Sequence, residues 1–130
     1  KKNRTLSIKL LTSAITSWFS AEFLKNIFNT PRPFIAEGID ARVWYPPANG
    51  AFPSGHTTLA FALATLIFMH NRLWGIVSIS LAFLVGLMRI LGYVHYPIDI
   101  VGGIVLGATI SIIIHFVHVQ FARLHKVRKT

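Results

Sequence analysis

Ile100 to Ala122, IVGGIVLGATISIIIHFVHVQFA, contains no Asp, Glu, Lys or Arg. A bilayer core about 30 Å thick needs roughly 20 apolar residues of helix, and this stretch supplies them. Working outward, Leu73 to Met88 is also uncharged, and the apolar pattern continues past Arg89 to Tyr93. Leu59 to Met69 is shorter and reaches a useful length only if its helix begins near Ser54. Thr5 to Phe28 is the weakest span. It is rich in Ser and Thr, and Lys9, Thr12, Ser13, Thr16 and Ser20 recur at helical spacing, as a stripe facing other helices would. The expectation is an all-α integral membrane bundle of about four transmembrane helices: roughly 5–28, 54–70, 73–93 and 97–121.

Composition agrees. Of 130 residues, 53% are hydrophobic and 13% charged, against about 25% charged in a soluble domain. These numbers argue against a disordered chain, a coiled coil and an ordinary cytosolic globule. The length suits one domain, 1–130. The chain has no cysteine, which removes disulfides, iron–sulfur clusters and thiol catalysis. Lys9 interrupts the first apolar stretch and no small-x-small cleavage site follows, which argues against a secretory signal peptide.

The net charge is +9. Beside long apolar runs it points to membrane orientation rather than to nucleic acid. Four crossings put Lys1, Lys2, Arg4, Lys9, Arg72, Arg123, Lys126, Arg128 and Lys129 on one side, with no acid. Lys25, Arg32, Arg42 and Arg89 fall on the other, against Glu22, Glu37, Asp40 and Asp99. The positive-inside rule makes the first side cytoplasmic, with both termini there.

The chemistry collects on the other side. Lys25 and Arg32 close the first span, Pro53-Ser54-Gly55-His56 opens the second, Arg89 ends the third, and His95 and Asp99 flank the start of the fourth. Ionisable groups beside membrane spans are functional candidates. Lys25, Arg32 and Arg89 outnumber the nearby acids Glu22 and Asp99, so the cluster wants an anion, and Arg suits phosphate. Ser54 and Gly55 sit where a helix N-terminus presents unsatisfied N–H groups. Pro97 at the first helical position puts Asp99 near the third, within reach of His95. His95 is then a nucleophile, Asp99 its orienter and His56 a general acid. No carboxylate pair is placed to hold Mg²⁺ or Ca²⁺. No metal and no other cofactor is expected, the cations neutralising the phosphoryl charge instead.

These motifs resemble the type 2 phosphatidic acid phosphatase (PAP2) superfamily. Its first motif, Lys, six residues, Arg-Pro, is matched by Lys25, Arg32 and Pro33. Its second, Pro-Ser-Gly-His, is matched by residues 53–56. Its third is matched by Arg89, His95 and Asp99, with Met88 where the family usually has Ser. The resemblance implies a metal-independent membrane lipid phosphatase working through a phosphohistidine. His95, His56 and Asp99 would be catalytic, and Lys25, Arg32, Ser54, Gly55 and Arg89 would bind the substrate phosphate. Membrane members have six helices with the site in the last four, so this chain is expected either to lack two N-terminal helices or to be a minimal version. The resemblance also implies a multi-pass protein of the cytoplasmic (inner) membrane with its site facing the periplasm or outside.

The resemblance makes undecaprenyl diphosphate the first substrate choice. Phosphatidylglycerophosphate and lipid A phosphates are alternatives. A vanadate-dependent haloperoxidase and a non-catalytic lipid-binding or transport protein are the other classes. The oligomeric state stays open: Gly103, Gly107 and Ser111 form a small-residue stripe that serves either dimerisation or packing within the bundle. His115, His118 and His125 lack an accompanying carboxylate and read as packing or interfacial residues rather than metal ligands. His70 reads as a turn residue, the run Arg123 to Lys129 as an orientation anchor, and Arg42, Trp44 and Tyr45 as either substrate contacts or interfacial groups.

Overall fold

The computed structural model describes residues 2–127; Lys1 and residues 128–130, with part of the basic C-terminal run, lie outside the described residues, as do the side chains of residues 2, 3 and 125–127. Its elements are α1 (Lys2–Phe28), α2 (Pro33–Ala36), α3 (Gly55–His70), α4 (Arg72–Leu91) and α5 (Pro97–Val127). The four long helices fall where the apolar pattern put them. The single turn α2, started by Pro33 at its first position, was not anticipated.

The helix α3 is central and packs against α1, α4 and α5. Its buried face is small, with Thr57, Thr58, Ala62 and Ala64 letting neighbours approach. On α5, a Cβ at position 107 would sit 2.2 Å from the carbonyl oxygen of Thr58, and one at position 103 would sit 2.9 Å from that of Ser54. The Gly103–Gly107–Ser111 stripe is therefore consumed in packing α5 onto α3. Ser111 donates to the carbonyl of Ala62 at 2.5 Å, and its hydroxyl lies 2.6 Å from that of Ser13. Of the expected α1 stripe, Ser13 is buried, Lys9, Thr12 and Ser20 are half-buried and Thr16 is exposed; Ser17, outside that stripe, is buried as well, while Leu11, Phe19 and Phe23 face outward.

Among the described residues, two helices are long and apolar enough to cross a membrane: Arg72–Leu91 with hydropathy 2.0 and Pro97–Leu124 with 2.3. Only 17% and 22% of their apolar windows are buried within the bundle, so most of that surface needs an apolar solvent. The other two expected spans do not meet that measure, for different reasons. The helix α3 is apolar but has 16 residues, about 24 Å of rise, and is sheltered by three neighbours. The helix α1 is long enough, but its polar stripe lowers its hydropathy. A single residue, Asn71, separates α3 from α4, and its side chain accepts from the Trp74 N–H at 3.1 Å.

The 29–52 loop folds back over one end of the bundle. Thr30 anchors it, its carbonyl accepting from Ala51 and its hydroxyl from Phe52. Phe34 and Arg42 donate their N–H groups to the carbonyls of Tyr93 and Gly92. Tyr93 holds the left-handed position after α4, with φ 57°, and Val94 N–H reaches back to Arg89 O. This Schellman-type ending usually takes Gly; here Gly92 precedes the left-handed position. The sharp exit aims Val94 and His95 back into the bundle.

Candidate active site

A cavity of about 440 Å³ opens under the loop, lined by residues that include Lys25, Arg32, His56, Arg89 and His95. Four separate stretches of chain meet there. The two imidazoles and both guanidiniums share one end of the bundle, as the spacing of the motifs required.

Arg32 is 1% exposed. Its Nε donates to Asn49 O at 2.8 Å, Nη2 to Asn49 Oδ1 at 2.8 Å and Gly50 O at 3.0 Å, and Nη1 to Val94 O at 2.8 Å. The same Nη1 lies 3.2 Å from His95 Nε2. With that nitrogen as acceptor, all five guanidinium donors are used. Burial, and then the charge of Arg89, lower the Arg32 pKa to about 10, which keeps it charged at neutral pH.

His95 is buried. Its Nδ1 faces Asp99 Oδ2 at 3.4 Å, an ion-pair distance rather than a formed hydrogen bond. Asp99 Oδ2 also accepts from the N–H of Tyr96 at 2.8 Å. Asp99 therefore closes the first turn of α5 in the manner of a capping box while facing the imidazole. Burial pushes the His95 pKa below the ordinary 6.5, the Asp99 carboxylate pulls it up, and Arg32 pushes it down; the net shift is downward. The ring is neutral at neutral pH, with a proton on Nδ1 and a lone pair on Nε2.

Arg89 lines the cavity, and its Nε is a buried donor with no hydrogen-bond partner among the described residues. A buried donor left unsatisfied costs about 1–3 kcal/mol, and an anion in the cavity would remove that cost. His56 stands in the first turn of α3 with its ring edge-on to Trp18, centroids 6.1 Å apart.

Three expectations need correction. Lys25 is not an unpaired cation: its ammonium lies 2.5 Å from Glu22 Oε1, one turn away on α1. Ser54 does not line the cavity; its hydroxyl accepts from Thr57 at 3.0 Å and its N–H donates to Asp99 O. Gly55 is also absent from the lining, and its missing side chain makes room for Lys25, since a Cβ there would stand 3.1 Å from Nζ. Both residues shape the site from behind. Met88, at the position that departs from the motif, is 63% exposed on the outer surface of α4.

The sequence reading missed Asn49. It holds Arg32 through two oxygens and donates from Nδ2 to Glu22 Oε2 at 2.8 Å. It thereby links the Lys25–Glu22 pair to the Arg32–His95 pair. Tyr45, Pro47 and Trp18 complete the wall.

The profile of the PAP2 superfamily matches residues 6–123. Undecaprenyl-diphosphatase BcrC of Bacillus subtilis is 34% identical over 75% of this chain and 48% of its own length. Bacitracin transport permease protein BcrC of Bacillus licheniformis is 26% identical over 97% of this chain and 62% of its own. The chain thus spans about half to three-fifths of these relatives. The crystal structure of Aquifex aeolicus LpxE superposes with a TM-score of 0.76 at 31% identity, covering 85% of this chain and 67% of that one.

Proposed function

The chain belongs to the PAP2 superfamily, and on that premise we propose that its cationic cavity is the phosphoryl-transfer site of a membrane lipid phosphatase. One observation carries the reading: the imidazole of His95 stands beside Arg32 in a cavity into which Arg89 brings an unsatisfied donor.

In this reading the phosphate of a lipid ester or diphosphate enters between Lys25, Arg32 and Arg89. His95 Nε2 attacks phosphorus in line, and the bond to the leaving oxygen breaks. His56 gives that oxygen a proton. Asp99 stabilises the ring, which retains its Nδ1 proton and becomes cationic as the P–N bond forms. Water then attacks the phosphohistidine, passing a proton to His56, and phosphate leaves. The guanidiniums and ammonium balance charge that would otherwise need a metal ion. The catalytic set is His95, His56 and Asp99. The substrate-binding set is Lys25, Arg32 and Arg89, with Ser54 and Gly55 supporting it.

The substrate is proposed to be a polyprenyl diphosphate, undecaprenyl diphosphate first, since a relative bears that name. The membrane is proposed to be the cytoplasmic one with the site facing outward, because the excess basic residues fall at the other end. A transport role is the second reading, favoured by the name of the relative matching 97% of the chain. Phosphate release from undecaprenyl diphosphate, phosphatidylglycerophosphate and lipid A, by purified protein and its His95→Ala variant, separates the readings. Release by the parent and its loss in the variant is expected. Equal release by both would remove His95 as nucleophile, and none from any lipid would favour transport.

A further inference from the structure

At the end of the bundle opposite the catalytic cavity, Thr5, Leu6, Lys9, Leu66, His70 and His115 line a second cavity of about 280 Å³. Three nitrogen-bearing side chains reach it from three helices: Lys9 from α1, His70 from the end of α3 and His115 from α5. Lys9 Nζ lies 3.4 Å from His115 Nδ1. With that nitrogen accepting from the ammonium, the ring's Nε2 carries a hydrogen and is a second donor.

Depth in the bundle follows from helical rise. Lys9 stands four i,i+4 steps before Lys25, His115 four such steps after Asp99, and His70 nearly as far from His56. At 1.5 Å per residue these rows are about 21–24 Å apart, most of the way across a hydrocarbon core of about 30 Å. The second cavity thus sits toward the opposite edge of the hydrocarbon core, just beneath the headgroups of that leaflet, with the apolar side chains of Leu6 and Leu66 in its wall.

Among the described residues no acidic side chain lines this cavity. The chain's four acids, Glu22, Glu37, Asp40 and Asp99, all belong to the catalytic end of the sequence pattern. An ammonium held against an imidazole at membrane depth costs free energy unless an anion shares the site.

We propose that this second cavity binds a phosphate monoester anion, the headgroup of an anionic lipid in the opposite leaflet. Lys9 supplies the charge and His70 and His115 supply ring N–H donors. The apolar wall lies against the first carbons of the lipid. Basic pockets between helices at membrane ends suit such headgroups. The site is separate from the phosphatase cavity and does not depend on its activity.

The test uses protein labelled with [¹⁵N]histidine in nanodiscs of phosphatidylcholine, whose headgroup is net neutral. One arm adds phosphatidic acid to the bilayer, and the other adds inorganic phosphate to the buffer. His70 and His115 ring signals are assigned through H70Q and H115Q. Both signals are expected to move saturably with phosphatidic acid, and Lys9→Gln to raise the half-saturation at least tenfold. Unchanged His56 and His95 signals in phosphatidylcholine nanodiscs before any titrant is added report that Lys9→Gln still folds. Movement with inorganic phosphate as well supports a site for the phosphate group itself; movement with the lipid alone supports the headgroup. Static His70 and His115 signals in both arms overturn the proposal, as does a response that Lys9→Gln leaves unaltered. Repeating the titration in His95→Ala protein separates this outcome from any failure of the phosphatase reading.

Discussion

Arg32 Nη1 lies 3.2 Å from His95 Nε2, so one guanidinium donor covers the lone pair that would attack phosphorus. The other Arg32 donors hold the carbonyls of Asn49, Gly50 and Val94 and the side-chain oxygen of Asn49. Four of its five donors are thus structural, and the fifth is the one a phosphoryl oxygen would take over. Arg32→Lys keeps the charge but offers three donors from a single point rather than a planar fork. The expected result is a fall in kcat of at least about 100-fold, the order lost when one donor to developing phosphoryl charge is removed. The melting temperature should also fall, because buried carbonyls lose partners at about 1–3 kcal/mol each. Assays of phosphate release beside thermal unfolding check both; retained turnover with a lowered melting temperature would leave Arg32 a purely structural residue.

Asp99 and His95 give a pH prediction whose sign is fixed. In the proposed mechanism the attacking ring is neutral, so kcat/KM is expected to fall as pH drops through the pKa of His95. Burial holds that pKa below 6.5, with Asp99 pulling upward against it. The acid limb of the parent profile is therefore expected below pH 6.5. Asp99→Asn removes the upward pull, so its limb should move to still lower pH while the plateau drops, because the imidazolium formed on attack loses its carboxylate. A limb that moves to higher pH would mean that Asp99 does not act on His95 electrostatically.

How much of this was legible follows from residue type and spacing. The four long helices were readable because uncharged apolar runs of bilayer length stand out and because Ser54 and Pro97 mark where α3 and α5 start. The convergence of Arg32, Arg89, His56 and His95 was readable because successive antiparallel helices return motif-bearing ends to one level. Asn49 was not, since the 29–52 loop has no periodicity and an exposed Asn carries no mark of its partner. The Glu22–Lys25 pair was within reach, because i,i+3 neighbours on a helix meet; counting cations against acids across the whole cluster hid it. The left-handed Tyr93 was hidden by Gly92, the residue to which sequence alone would give that conformation.

Charge placement makes a topological prediction independent of catalysis. The acid-free end gathers Arg4, Lys9, Arg72 and Arg123, and positive residues stay cytoplasmic. A protease-cleavable tag after Thr130 is expected to be protected in intact cells and cut once the membrane is opened. A tag between Asp40 and Ala48, in the loop over the catalytic cavity, should show the reverse. Ready cleavage of the Thr130 tag from outside would invert the orientation and put the catalytic cavity on the cytoplasmic face.

Two glycines on facing helices are expected to respond in opposite ways to the same added methyl group. At Gly55 the new Cβ would stand 3.1 Å from Lys25 Nζ, the far end of a flexible side chain. The ammonium can move a few tenths of an ångström, and Ala suits a helix start better than Gly. Gly55→Ala should keep or slightly raise the melting temperature while lowering kcat, since the displaced Lys25 is one of the three cations proposed to meet substrate phosphate. At Gly107 the new Cβ would stand 2.2 Å from the Thr58 carbonyl oxygen and 2.9 Å from the Ala62 nitrogen, both backbone atoms of the central helix. Neither can yield without separating α5 from α3, so Gly107→Ala should cost several kcal/mol, at or beyond the ~1–3 typical of overpacking. It should lower folded yield and activity together, with the activity of the surviving folded fraction little changed. Thermal unfolding and turnover per folded molecule, measured on both variants, distinguish a residue that shapes the site from one that holds the bundle. A Gly107→Ala protein as stable as the parent would contradict the α3–α5 contact on which the position of Asp99 depends.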